Sequence, residues 1–176
     1  MDCDWDTERA SDETIREIMR VSEHQIIWGG NYYDLPPTRG IVCWNKLQSW
    51  ENFSQWEMAW TSYNCPAVMI TVSNTGGANK ETKIHPTQKS VAMYKELLRR
   101  FAKPGDVIFD PYMGSQSLRI ACYDMGFDFY GCERNALFFE TGCKWFEEHK
   151  TKAEEIREKG YASTALERIN PVFEFN

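Results

Sequence analysis

Two carboxylates raise the first chemical question. Asp110 closes the apolar run "VIFD", and Glu133 closes "FDFYGCE" 23 positions later. In folds that hold a nucleotide at the carboxyl ends of parallel strands, a second acid about 20 residues beyond the first turn reaches the ribose hydroxyls. Between the two acids lies "PYMGSQS". Gly114 lets the backbone approach a ligand closely, and a helix expected from about Ser115 to Met125 offers free N–H groups. The G-x-G-x-x-G fingerprint is absent, which disfavours a pyrophosphate and removes a nicotinamide oxidoreductase from consideration. A nucleoside with a small zwitterionic tail suits the loop better. A tight βα turn whose aspartate merely caps the helix satisfies the same spacing, and spacing alone does not choose between them.

The elements around this loop read as alternating helices and strands. Ile15, Ile18 and Met19 recur at helix spacing after Ser11, a suitable N-cap. "QIIWGG" is a short strand broken by Gly29 and Gly30, "NYYDLPPTRG" is loop, and "IVCW" is a second strand. Residues 47–84 lack regular periodicity and read as a small irregular insert within one domain spanning 1–176. Val91, Tyr94, Leu97, Leu98 and Phe101 line one helix face, with Gln88 expected to begin that helix. "KPGD" turns the chain into the strand "VIF", and a charged helix fills roughly 135–159. The alternation implies an α/β fold, a mostly parallel sheet with helices on both faces.

Composition narrows the function classes. With 42% hydrophobic and 14% aromatic residues the chain is of the globular type. No run approaches the roughly 18 apolar residues of a membrane span, and the acidic start "MDCDWDTER" is not a signal peptide, so a cytoplasmic location is expected. The six cysteines form no C-x-x-C pair, so neither zinc nor disulfides are expected. A net charge of -6 argues against an indiscriminate grip on phosphates, although a local basic face remains compatible with DNA.

Five fragments, in order, carry a family resemblance. "DPYMGSQS" resembles the D-P-F-x-G-S-G-[ST] cofactor loop of the S-adenosylmethionine-dependent DNA amino-methyltransferases, which methylate adenine N6 or cytosine N4. "IHPTQKSVAMYKELLRRF" is similar to the H-P-T-Q-K-P segment that precedes this loop in the circularly permuted (β-type) members. "FDFYGCE" is similar to their next strand with its ribose-binding acid. "WDTERASDETIREIMRVSEHQIIWGGNYYDLPP" and "EMAWTS" resemble a phage- and bacterium-associated branch, which favours adenine. The resemblance implies a Rossmann-like methyltransferase fold, a double-stranded DNA substrate and a restriction-modification context. It further implies that Asp110, Tyr112 and the Gly114–Ser115 backbone hold the methionine part of the cofactor, and Glu133 the ribose. His85, Thr87 and Lys89 would line the same pocket. Alternatively, His85 only fixes the turn around Pro86, and Lys89 is a solvated first-turn lysine. Two departures stand out. Gln116 occupies a position that is usually small, so its side chain must point away or crowd the pocket. Ser90 replaces the usual proline and is expected in the first helical turn.

The D-P-P-Y tetrapeptide of this family does not occur in the sequence. In relatives it accepts hydrogen bonds from the amino group of a flipped base and aligns the nitrogen for methyl transfer. "DLPPT" has an extra residue between Asp34 and the prolines Pro36 and Pro37, and it follows elements that succeed the motif in relatives. The motif's strand is normally central, so one central strand is missing from these residues and three expectations stand open: the chain is a fragment, a second subunit or second copy supplies the strand, or the sheet has closed over the gap, with the tail "PVFEFN" as an added strand or a docked tail. Asn31, Tyr32 and Tyr33, after the first strand, could accept an amino hydrogen and stack a base, or could simply line the pocket wall. Trp50 and Trp56, with Lys80 and Lys83, lie in or beside the insert and are candidate DNA contacts. Trp60 in "EMAWTS" reads as core. Arg99, Arg100 and Lys103 form a basic cluster that a solvated helix end explains equally well.

Overall fold

A computed structural model describes residues 9–48, 51–74 and 81–158. The chain divides into two compact units, Met1–Glu81 and Thr82–Asn176.

The first unit opens with α1 (Asp12–Val21), capped as the sequence reading expects: the Ser11 side chain accepts from the Thr14 N–H at 3.1 Å. Four strands follow: β1 (Ile26–Trp28), β2 (Ile41–Asn45), β3 (Trp56–Thr61) and β4 (Val68–Thr71), in the sheet order β1-β3-β2-β4. β3 runs antiparallel to both β1 and β2, whereas β2 and β4 are parallel. Strand pairing is therefore mixed here, not mostly parallel. The segment expected to be an irregular insert holds β3 and β4. β3 was not apparent because Ala59, Trp60 and Thr61 are buried consecutively, as in a central strand covered on both faces, so no alternation marks it. Its indole anchors a loop, since Trp60 Nε1 donates to the Pro36 carbonyl at 2.8 Å. Trp44 of β2, also buried, donates to the Val72 carbonyl at 2.7 Å.

The second unit comprises α2 (Val91–Phe101), β5 (Val107–Asp110), α3 (Ser117–Met125), β6 (Asp128–Gly131) and α4 (Ala136–Glu158). β5 and β6 pair in parallel, with Asp110 opposite Gly131. A core of Val91, Leu98, Ile120, Ala121, Cys122 and Phe146 packs against Ile108 of β5 and Phe129 of β6, so the helices cover one face of this pair. Val107, Phe109 and Tyr130 alternate to the exposed side. Gly126 ends α3 at φ 77°, and the Cys122 carbonyl accepts both the Gly126 N–H and, at 2.9 Å, the Phe127 N–H, which closes the helix end. Asp124 of α3 then ties three helices together. Its carboxylate meets Lys95 of α2 at 2.5 Å and His149 of α4 at 2.6 Å. Burial raises the Asp124 pKa, but hydrogen bonds and charge from His149 and Lys95 outweigh it and hold the carboxyl below its ordinary value.

Among the described residues, no helix is long and apolar enough to cross a membrane. The tail "PVFEFN" lies outside the described residues.

Candidate functional site

Both acids of the second unit come to one end of the β5–β6 pair. The ladder continues past the strands, as Cys132 N–H donates to the Asp110 carbonyl at 2.9 Å and Met113 N–H to the Cys132 carbonyl at 3.0 Å. This folds the loop after Asp110 over the chain that leads to Glu133. Glu133 then clamps the turn: Oε2 accepts from Gly114 N–H at 3.0 Å and Oε1 from Asn135 N–H at 2.8 Å. Each carboxylate oxygen carries two lone pairs, so one on each remains for a ligand hydroxyl. Gly114 adopts φ 46°, a left-handed conformation that favours glycine.

Asp110 is differently placed. Its Oδ1 accepts from Tyr112 N–H at 3.0 Å. Burial pushes its pKa above the ordinary carboxylate value, with Glu133 adding to the rise, while the Tyr112 N–H and the charge of Lys89 oppose it. Such a carboxyl favours a cation. Cys122 lies within electrostatic reach: burial, helped by Asp110, pushes its thiol up to about 12, so it acts here as a small apolar group.

The segment before α2 joins this cluster. A Cβ placed on Gly114 would stand 3.4–3.5 Å from the His85 ring, so the imidazole lies across the glycine. Phe138, in the first turn of α4, packs edge to face on the same ring at 4.3 Å between centroids. His85 Nδ1 accepts from Thr87 N–H at 3.3 Å and lies 3.1 Å from the Thr87 hydroxyl. Burial lowers the His85 pKa, Glu133 opposes, and Lys89 and Lys83 reinforce the fall, which leaves a neutral ring. His85 thus fixes the turn around Pro86 and also packs on the candidate ligand loop. Gln88 does not begin the helix. It pins the segment, accepting from Ile84 N–H at 2.9 Å and donating to the Thr82 carbonyl at 3.2 Å. Ser90, fully buried, is the N-cap of α2 and accepts from Met93 N–H, so it stands before the first turn. Lys89 therefore precedes the cap and is not a first-turn residue.

The loop helix likewise starts later than expected, at Ser117, because Gln116 takes up a left-handed cap at φ 66°. The Gln116 side chain turns away from Gly114 and into α4, donating to the Phe139 carbonyl at 2.9 Å. Ser115 is buried with its hydroxyl 2.8 Å from that of Ser117, which leaves its backbone as the part able to serve a ligand. Tyr112, 57% exposed, stands at the rim.

Sequence reasoning missed Phe138, Asn135 and Met113. Asn135 caps α4 by accepting from Phe138 N–H at 3.1 Å, an N-cap signal legible in "ERNALFF". Met113 is buried against Gly131, where an added Cβ would come within 2.8 Å of its sulfur.

In the first unit, Asn31 and Tyr32 lie in a 3₁₀ turn (Gly30–Tyr32) directly after β1, with Tyr33 following. Tyr32 is 70% exposed. Tyr33 joins Asp12, Ile15, Arg16 and Asp34 around a cleft of about 240 Å³, with the Arg9 guanidinium 5.6 Å from the Tyr33 ring centroid. Of the candidate DNA contacts, Trp56 is 55% exposed at the start of β3, while Trp50 and Lys80 lie outside the described residues. Lys83 is near enough to His85 to depress its pKa. In the basic cluster at the end of α2, one carboxylate, Glu96, pairs with both Arg99 at 2.5 Å and Arg100 at 3.6 Å, so the cluster keeps a net positive charge. No group of three or more His, Cys, Asp or Glu able to hold a metal ion occurs among the described residues.

The family described as "DNA methylase" (N6_N4_Mtase) matches residues 8–144. The chain is similar to the type II methyltransferase M.HpaI of Haemophilus parainfluenzae, at 31% identity over 75 residues, covering 43% of this chain and 24% of the relative. It is similar also to the DNA adenine methyltransferase YhdJ of Escherichia coli (strain K12), at 33% identity over 64 residues, covering 36% of this chain and 22% of that protein. The matched stretches therefore span about a quarter of the length of these curated relatives. Among solved structures, an M1.HpyAVI–SAM complex aligns over 59% of each chain at 24% identity with a TM-score of 0.45.

Proposed function

Since this chain belongs to the DNA methylase family that matches its residues 8–144, we propose that it binds S-adenosylmethionine and serves a DNA amino-methyltransferase acting on adenine N6 in preference to cytosine N4. The observation that carries the reading is the convergence of Asp110, Gly114, Glu133 and His85 at one end of β5 and β6. The cofactor suits this donor set. Asp110, a buried carboxyl that favours a cation, would hold the ammonium of the methionine part. Glu133, with lone pairs to spare, would hold the ribose hydroxyls. The Gly114–Ser115 backbone would allow close approach, and His85, Thr87 and Lys89 would form the wall. When bound, S-adenosylmethionine supplies a sulfonium methyl group to a nucleophilic nitrogen. The residues of this chain bind and orient; neutral His85 adds no positive charge beside a cationic ligand.

Transfer requires an acceptor for the amino protons of the target base. D-P-P-Y does not occur in residues 1–176, so turnover is expected to depend on that motif reaching the site from elsewhere, from a preceding segment of a longer chain or from a different subunit. Asn31 is the alternative acceptor and Tyr32 the alternative stacking platform. A second reading, in which D-P-P-Y has been lost and is not supplied from elsewhere, is a catalytically inactive homologue that acts as a DNA- or partner-binding subunit.

The test is a calorimetric titration with S-adenosylhomocysteine, the product form, which cannot turn over. Micromolar binding that is lost in Asp110→Ala is the expected result. No binding by the parent chain overturns the cofactor reading. Methyl transfer from labelled cofactor to adenine-containing duplex then separates the enzyme from the inactive homologue, and a parent-like rate in Asn31→Ala excludes Asn31 as the substitute acceptor.

A further inference from the structure

Two residues of the second unit look locally wrong, and each explains the other. Gln116 occupies a left-handed backbone position at φ 66°, where glycine would be at ease. Gly142 stands inside α4, where alanine would be favoured. A Cβ on Gly142 would fall 2.7 Å from Gln116 Cγ and Nε2 and 2.9 Å from Cδ, so the glutamine side chain fills the space that the missing methyl leaves. The side chain is fully buried and held at both ends of its amide. Nε2 donates to the Phe139 carbonyl at 2.9 Å and approaches Cys143 Sγ at 3.4 Å. Oε1 accepts from Arg119 Nη1 at 2.8 Å, and that guanidinium lies 3.7 Å from the centroid of the buried Phe146 ring.

We propose that Gln116 is a positioning residue, a latch that seats in α4 over Gly142 and thereby fixes the Gly114–Ser115 backbone that a ligand approaches. The proposal rests on the cofactor reading above for the identity of that ligand. The mechanical link is short. Gln116 N–H closes the loop onto the Met113 carbonyl at 2.7 Å, and its own carbonyl accepts the Ile120 N–H at 3.1 Å to start α3. With both backbone groups and both side-chain ends engaged, the residue cannot yield locally, so displacement of its side chain is passed to its neighbours. The small residue usual at this position would leave a void over Gly142 and remove the Arg119 acceptor.

The experiment is a double-mutant cycle of Gly142→Ala and Gln116→Gly in the full chain, read in two ways. One readout is the dissociation constant for S-adenosylhomocysteine, and the other is amide hydrogen exchange at Gly114 and Ser115 relative to core amides of α2. Gly142→Ala in the parent background is expected to weaken binding about tenfold and to speed loop exchange by a similar factor, leaving the α2 amides unchanged. In the Gln116→Gly background the same change is expected to do nothing, since the space is then vacant. Equal effects of Gly142→Ala in both backgrounds, or none in the parent, overturn the latch. If Gly142→Ala alone does not fold, folding of the double variant is the coupling expected, and failure of both overturns it. If the parent binds no S-adenosylhomocysteine, the cofactor reading falls, while loop exchange still decides the latch.

Discussion

Asp110→Asn separates binding from stability at the candidate site. The substitution preserves shape, and the asparagine oxygen can still accept the Tyr112 N–H that Asp110 Oδ1 takes at 3.0 Å. What disappears is the charge. Because burial holds the Asp110 pKa above its ordinary 3.8, the unfolded chain releases this proton at lower pH than the folded protein does. The folded state thus binds more protons in the window above pH 3.8, and the contribution of Asp110 to stability declines as pH rises through it. At pH 7 the ligand-free Asp110→Asn protein should therefore melt at or above the parent, and the two should converge below pH 3.8. Ligand binding should move the other way. A hydrogen bond from an ammonium to a carboxylate is worth about 1.5–3 kcal/mol, so its loss should weaken S-adenosylhomocysteine binding roughly 10- to 150-fold. Thermal melts across pH 3–7 and calorimetry at pH 7 read both effects. A variant that melts below the parent at pH 7, or that binds within twofold of it, refutes the argument that this carboxyl is held at a cost for a cation.

Other outcomes follow from the same geometry. Glu133→Gln turns one acceptor into a donor facing Gly114 or Asn135 N–H, and should weaken binding by about 1–3 kcal/mol; equal affinity of the parent for adenosyl and 2′,3′-dideoxyadenosyl ligands would count against a ribose role. His85 resists protonation in the folded state, so parent stability should fall as pH drops below 6.5, and His85→Asn should flatten that slope in urea melts at pH 5, 6 and 7. Asp124→Asn leaves Lys95 and His149 without a carboxylate and should cost about 1.5–3 kcal/mol at pH 7. That gap should narrow as pH falls through 3.8 and below, where the parent Asp124 is also protonated; a constant gap argues against an ionic origin. Gly126→Ala meets no atom within 4 Å, so any loss is purely conformational, about 1–2 kcal/mol, and Gly126→Asn should lose less.

The second unit was the more legible of the two because its signals are local. The apolar run "VIF" before Asp110, the helix face of Val91, Leu97 and Leu98, and the cap-and-turn residues each declare themselves within a few positions. β3 was hidden because a central strand buried on both faces carries no period of two. Helix starts were misjudged at Gln88 and Ser115 for a related reason. Side chains that close a loop, such as Gln88 on Ile84 and Thr82, look no different in sequence from side chains that begin a helix. Phe138 was missed because its partner His85 is 53 positions away, beyond any local pattern. Gln116 is the instructive case. The sequence marks it as a break in a loop of small residues, but its compensation lies at Gly142 in another helix, where a lone glycine carries no meaning until the two are seen together.

The division of residues between the units also bears on how function should be dissected. Asp110, Gly114, Glu133, His85 and Thr87 all belong to Thr82–Asn176, whereas Asn31, Tyr32 and Tyr33 belong to Met1–Glu81. Substitutions in the first group should therefore change ligand affinity, and those in the second, if they matter, turnover alone. Asn31→Ala together with Asp110→Asn then distinguishes the two proposed readings. An active methyltransferase loses affinity from the second change, and loses rate from the first only where Asn31 has taken the place of D-P-P-Y. An inactive homologue loses affinity from the second and has no rate for the first to diminish.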